Sequence, residues 1–438
     1  MSPTVPPSRS GPPSSRPRPS RVSAMAAGLV GSEILAIAAD IRERVAAGAE
    51  ICNLTVGDFS PAQFPVPQAL RDGIAKALAE GRTNYPPSSG IPELREAVSR
   101  LFARRLGLHY PASSVLIAAG ARPLIYATYR AVVDPGDRVV FPVPSWNNNH
   151  YAHLLGADGV PVSCGPQTRF LPTREDLVRV LPGARLVCIN SPLNPTGTAI
   201  EADALRGICE EIVAENQARR STGQRPLYML YDQVYWMLRV PGVEHVTPPG
   251  VCPEMADYTI FIDGISKAFA ATGLRVGWTA GPADVVERMA AILTHVGAWA
   301  PRPEQHATAD LLGDDATIDA FLETQMQGLA ARLDRLHEGL SALAKEGLPV
   351  EVIPPMGAIY LTVRIHPFGR VTPEGERLAT NDAIRRYLLN AARVGVVPFQ
   401  AFGVASDDGW FRLSVGAVGL EELGGAVARI GEALRALS

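Results

Sequence analysis

Cysteine is scarce in this chain. The five present are Cys52, Cys164, Cys188, Cys209 and Cys252, and no two form a C-x-x-C pair. An odd, scattered set disfavours a disulfide scaffold or a zinc ribbon and fits a reducing, cytoplasmic compartment. No stretch approaches the roughly 18 consecutive apolar residues of a membrane-spanning helix. Neither sign of charge dominates: Lys plus Arg number 41, Asp plus Glu 44, and the net charge is −3. A phosphate backbone demands a basic face, so this balance argues against a nucleic-acid partner. No G-x-G-x-x-G follows a strand candidate, which leaves a dinucleotide site without support. His150 and His153 are the only close histidine pair, and with no acid or thiol beside them no metal site is expected.

What is present is apolar bulk and punctuation. Of 438 residues 47% are hydrophobic and 19% charged, enough for a sizeable core. At roughly 150 residues per domain the length suggests two or three domains. The first 22 residues, MSPTVPPSRSGPPSSRPRPSRV, break that average. Their prolines remove backbone donors and block helix, so a disordered tail is expected over 1–24 rather than an amphipathic targeting helix. Translation from Met25, and a folded chain beginning near Gly28, fit that reading.

Along the body, SEILAIAADIRERVAA has apolar residues at helical spacing. A short strand follows in ICNLTVGDFSP, then helices in PQALRDGIAKALAEG and, from Pro92, ELREAVSRLFARRLG. The middle alternates helices with strand candidates at 115–120, 137–143, 159–164, 185–190, 227–232, 259–265 and 275–281. Most are continuous apolar runs bounded by Gly, Pro, Asn or Asp, as in strands covered on both faces. The pattern predicts an α/β fold with a doubly wound, mostly parallel sheet, whose ligands gather at strand carboxyl ends. Gly120, Asn190, Asp232 and Ser266 stand at such ends. From about Gly328, AIYLTVRI and GWFRLSVGA lie among helices and predict a smaller α+β domain, completed by the N-terminal helix.

The chemistry starts from Lys267, just after a buried strand. An ammonium is costly to bury unless something uses it. Ser266 precedes it, and Arg275 opens the next apolar run. A lysine that can form an imine, with a hydroxyl and a guanidinium for an anion, suits a phosphate-bearing carbonyl compound. SPLNPTG holds Asn194 between prolines at a strand end, and YDQVY supplies Asp232 and Tyr235. Asp232 there is either a helix cap or the partner of a buried cation. Together these groups match what pyridoxal phosphate needs.

At this point the chain resembles the class I/II aminotransferases, fold type I pyridoxal-phosphate enzymes of the aspartate aminotransferase superfamily. The likeness runs from about Ser32 to the C-terminus, with several motifs in the family's order. NLTVGD resembles the glycine segment over the substrate, here Gly57. NYPPSSGIPELREAV resembles Y-x-x-x-x-G-x-x-x-L-R, whose tyrosine, here Tyr85, reaches the neighbouring subunit's cofactor phosphate. AAGARPLIY resembles the turn whose N–H groups hold the phosphate, here at Ala121 and Arg122. PVPSWNNN offers Trp146 to stack on the cofactor ring. SKAFAATGLRVGW carries Lys267 and Arg275, and WFRLSVG carries Arg412 for the substrate α-carboxylate. Two departures stand out: Gly264 falls where the family often has a hydroxyl ahead of the lysine, and G-D-F-S-P replaces G-E-P-D-F.

The resemblance implies a large cofactor domain over 67–327 with a mixed, mostly parallel seven-stranded sheet between helices. It implies a smaller domain from 25–66 and 328–438, and a homodimer with shared sites. Lys267, Asp232 and Tyr235 would be catalytic. Lys267, Asn194, Asp232, Tyr235, Ser266, Arg275, Ala121, Arg122, Trp146 and Tyr85 would hold the cofactor. Arg412, Gly57, Asn194, Trp146 and Arg122 would face the substrate. Arg122, and after it Arg302, are the candidates to read a second carboxylate, which favours aspartate or glutamate as donor and leaves prephenate-type acceptors open. The alternatives are a C–S lyase or decarboxylase on the same scaffold, and a non-catalytic cofactor-fold binding protein.

Overall fold

The computed structural model describes residues 21–29, 31 and 33–438. The expected disordered tail lies almost wholly outside the described residues. A short helix, Ala24–Gly28, comes earlier than the start expected near Gly28. Ser23 caps it by accepting from the Ala26 N–H, and the Met25 carbonyl lies 2.8 Å from His153 Nε2. The helix therefore packs on Asn148–Leu155, beside the large sheet, although this stretch was expected with the small domain.

Seven strands form the large sheet: β1 (Val115–Ala118), β2 (Arg138–Val143), β3 (Asp158–Ser163), β4 (Ala184–Asn190), β5 (Tyr228–Asp232), β6 (Thr259–Gly264) and β7 (Gly277–Ala280). Their order is β1-β7-β6-β5-β4-β2-β3. Only β7 runs antiparallel to its neighbours, β1 and β6. Successive residues of β4, β5 and β6 point to opposite faces, yet nearly all are buried, so both faces are covered. In this parallel register Asn190 lies beside Asp232, and Asp232 beside Ile262. The topology thus delivers three strand ends to one place.

A second core surrounds an antiparallel sheet of β8 (Val350–Ile353), β9 (Tyr360–Ile365), β10 (Val397–Pro398) and β11 (Trp410–Ser414), ordered β10-β11-β9-β8. β9 and β11 match the two stretches legible in the sequence; β8 and the two-residue β10 had no counterpart there. Helix Asp315–Lys345 joins the two cores: Ile318 packs into the first, while Leu329, Leu333, Leu336 and Leu340 pack into the second. The early segment returns to the second core through Leu54, Phe59 and Phe64, with Cys52–Asn53 paired in parallel to Val394–Gly395. All five cysteines are buried free thiols. Among the described residues no helix is long and apolar enough to cross a membrane.

Candidate active site

β6 delivers the lysine. All six of its residues are buried, and the chain turns at once into the short helix Ile265–Ala268, which carries Ser266 and Lys267. Lys267 Nζ donates to the Gly57 carbonyl at 2.7 Å and lies 5.8 Å from the Tyr235 ring centre. Burial pushes this amine down to about 8; Asp58 pulls it up, while Arg412, Arg122 and Arg275 add to the fall. An amine held there exchanges protons nearer neutral pH and has a far larger unprotonated fraction than an ordinary lysine to act as nucleophile. A Cβ on Gly264 would lie 2.7 Å from the Val276 carbonyl oxygen and 2.8 Å from Gly277 Cα, so the backbone leaves no room for a hydroxyl side chain.

Asp232 ends β5, and its Oδ1 accepts from the Val234 N–H at 3.2 Å. Burial raises its carboxyl to about 6, against the opposing pull of that N–H and of Lys267. A carboxylate uncomfortable in its surroundings gains from a cationic neighbour. From β4, Asn190 Nδ2 donates to the Asp232 carbonyl at 2.8 Å, and its Oδ1 accepts from the Asn194 N–H at 2.8 Å. One amide therefore ties the SPLNPTG loop to the strand end that bears the acid. Tyr235 is buried, and its hydroxyl meets that of Tyr360 at 2.7 Å.

Helix Ala121–Val132 opens at the end of β1 with unsatisfied N–H groups, which favours an anion there. Gly120, before it, has φ 88°, and a Cβ on it would come within 2.3 Å of Arg275 Nη2. Arg275, itself left-handed at φ 57°, spans the turn by donating to Thr272 O at 2.6 Å and Ala119 O at 2.9 Å. Only glycine lets the guanidinium lie so close to the helix start. Arg122, in the first helical turn, is exposed and lies 5.4 Å from the Trp146 ring centre.

The small sheet supplies the opposite side. Arg412 on β11 is 1% exposed. Its guanidinium lies between the rings of Tyr360 and Phe402, 4.8 Å and 5.0 Å from their centres. Nη2 donates to Thr55 O at 2.6 Å and Nη1 to Asn194 Oδ1 at 3.2 Å, while Nε is buried and has no hydrogen-bond partner among the described residues. A Cβ on Gly57 would meet the Tyr360 hydroxyl at 2.9 Å, so glycine keeps the space between lysine and arginine open. Asp58 Oδ1 accepts from the Thr272 hydroxyl at 2.7 Å, joining the early segment to the lysine loop.

Lys267, Asp232, Asn194, Tyr235, Gly57 and Arg412 are thus brought together, with Arg275, Ala121 and Ser266 at the adjoining strand and helix ends. Tyr85 is not among them: it is 82% exposed and meets Trp299 edge to face. Arg302 bonds Asn84 next to it, so these two predicted residues form a patch of their own. Tyr360, Phe402, Thr55 and Asp58 also touch this cluster and were not singled out from the sequence. Tyr360 reads as a core residue of the apolar run AIYLTVRI, and Thr55 bonds through its carbonyl. Only Asp58, in the variant G-D-F-S-P, carried a signal.

The donor set fits a compound with three features: a carbonyl for Lys267, an anionic group for the Gly120 turn and a cationic or protonated centre for Asp232. The unpaired Arg412 Nε fits a carboxylate. A family model described as aminotransferase class I and II matches residues 49–430. The chain is 31% identical over 410 residues to an aspartate aminotransferase of Rhizobium meliloti strain 1021, covering 93% of this chain and 94% of that protein. It is also 31% identical over 377 residues to an aspartate/prephenate aminotransferase of Thermus thermophilus, covering 85% and 90%. The solved aspartate aminotransferase from Rhizobium meliloti superposes with a TM-score of 0.85 at 29% identity, over 95% of this chain and all (100%) of that one. That of Thermus thermophilus, solved with maleate, gives 0.83 at 29% identity over 94% and 99%.

Proposed function

The chain belongs to the class I and II aminotransferases, and from that premise we propose that it binds pyridoxal 5'-phosphate at Lys267 and moves an amino group from aspartate or glutamate to a 2-oxo acid. The observation that carries this reading is the convergence of a lysine of lowered basicity, a raised acid and an anion-binding helix start at adjacent strand ends. In this reading the backbone N–H groups of Ala121 and Arg122, with Ser266 and Arg275, hold the phosphate. Asp232 faces the ring nitrogen, Asn194 and Tyr235 the phenolic oxygen, and Trp146 the ring. When bound, the cofactor supplies a carbonyl for the amino group and a ring that accepts the electrons left at the donor's Cα.

The chain's own groups do the rest. Arg412 pairs with the donor's α-carboxylate, and the rings of Tyr360 and Phe402 keep its guanidinium fixed. That clamp orients the Cα–H bond toward Lys267 Nζ, which takes the proton and returns it. Asp232, as a carboxylate beside a cation, holds the ring nitrogen's proton in place. Gly57 and Tyr360 limit the space above the lysine.

Exposed Arg122, against Trp146, is the group in this reading that pairs with a second carboxylate. Support comes from the similar Thermus thermophilus structure, whose maleate carries two carboxylates. Arg302 is the second candidate, across a subunit boundary that Tyr85 and Trp299 also suit. A homodimer in the cytoplasm completes the proposal. The test is a donor panel with 2-oxoglutarate and oxaloacetate, run on wild type and Arg122→Ala. Arg122→Ala is expected to lower kcat/KM for aspartate and glutamate about 10–100-fold while sparing a monocarboxylic donor. The substrate assignment fails if those values are unchanged while Arg412→Ala abolishes both.

A further inference from the structure

One buried acid takes no part in the mechanism above. Asp263, 1% exposed, sits on β6 four residues before Lys267 and is next in sequence to Ile262, the register partner of Asp232. Its Oδ1 accepts from the Gly264 N–H at 2.7 Å, and its Oδ2 accepts from the indole N–H of Trp236 at 2.8 Å. Gln233 Nε2 approaches the same Oδ2 at 3.5 Å. The far side of that amide is fixed too, because Gln233 Oε1 lies 3.1 Å from His245 Nε2. Burial, with Arg239 nearby, pushes His245 down to about 3, so the ring is neutral and its N–H donates. Burial raises Asp263 to about 7; the three donors oppose this and Asp232 adds to it.

Gln233 and Trp236 flank the turn that begins at Asp232 and bears Tyr235. Both send their side chains to one carboxyl group on the strand that leads to the lysine. We propose that Asp263 is a positioning residue, which ties the turn carrying Asp232 and Tyr235 to the lysine strand and so sets how both groups face the cofactor. A carbon-only core would pack here without an acid, and an unneeded buried carboxyl costs stability. The side chains linked to Asp263 are those adjoining the two cofactor-facing groups. This inference rests on the cofactor reading of Asp232, Tyr235 and Lys267.

The bond can be cut from either end, with Asp263→Asn or with Trp236→Phe, which keeps the ring and removes the N–H. Pyridoxal phosphate affinity is measured on the cofactor-free protein, and kcat and donor KM on the loaded enzyme. Each variant is expected to weaken cofactor binding and to lower kcat by about tenfold, with donor KM within about twofold, since small misalignments act on the reacting groups. The double variant is expected to be no worse than the worse single one, because both remove the same link. Singles that stay within about threefold of wild type, or losses that multiply in the double, overturn the proposal. If Asp263→Asn does not fold, Trp236→Phe decides alone by the same limits. Wild type that binds no pyridoxal phosphate would instead sink the cofactor reading itself.

Discussion

At the carboxyl ends of β5 and β6 the buried ionisable groups are displaced toward neutrality: Asp232 to about 6, Asp263 to about 7, Lys267 to about 8. On the small-sheet side, Arg412 is as deeply buried, yet arginine keeps its charge even where burial lowers its pKa. The cause is chemical as much as environmental. When water is removed a carboxylate tends to gain a proton and an ammonium to lose one; a guanidinium keeps its proton and needs partners, here two oxygens and two aromatic faces. In the proposed function one side moves protons and the other holds a fixed charge for a carboxylate.

The largest expected effect breaks the proton-moving side. Lys267→Ala should lower kcat by about 10⁴-fold or more, read in single-turnover assays of loaded protein. Survival of the rate would remove Lys267 from the chemistry. Next, Arg412→Lys keeps the charge but loses the planar fork. It should cut kcat/KM for the donor by about 100-fold, with most of the loss in KM. A loss confined to kcat would mean that Arg412 does more than bind.

The smallest effect sharpens the contrast through stability. Because the folded-state value of Asp232 is raised, the folded protein holds that proton more tightly than the unfolded chain. The group's contribution therefore falls as pH climbs from about 4 through about 6 and stays lost above. Asp232→Asn removes that penalty. The cofactor-free variant should melt about 2–4 °C higher than wild type at pH 8, with the gain shrinking toward pH 4. A gain independent of pH would point to packing instead. The same substitution is expected to lower kcat, a trade between stability and function.

The large sheet was legible because most of its strands are unbroken apolar runs, and their ends fell within two residues of the expected places. The small domain was less so. β8 and β10 are only four and two residues long, and helix Asp315–Lys345 runs through both cores, so no composition shift marks a boundary. The N-terminal helix Ala24–Gly28 carries no buried residue, and its anchor is a backbone carbonyl that no pattern records.

By itself the sequence singled out the candidate groups: Lys267, Asp232, Asn194 and Arg412 each stand in a motif whose residue types have few other uses together. Tertiary structure decided their working state. The fall of the lysine toward 8 needs burial and three arginines drawn from separated segments, and the arginine clamp needs Tyr360, Phe402 and Thr55 from three more. Charge state depends on solvent and neighbours in space, and a linear sequence specifies neither until the two cores close on each other.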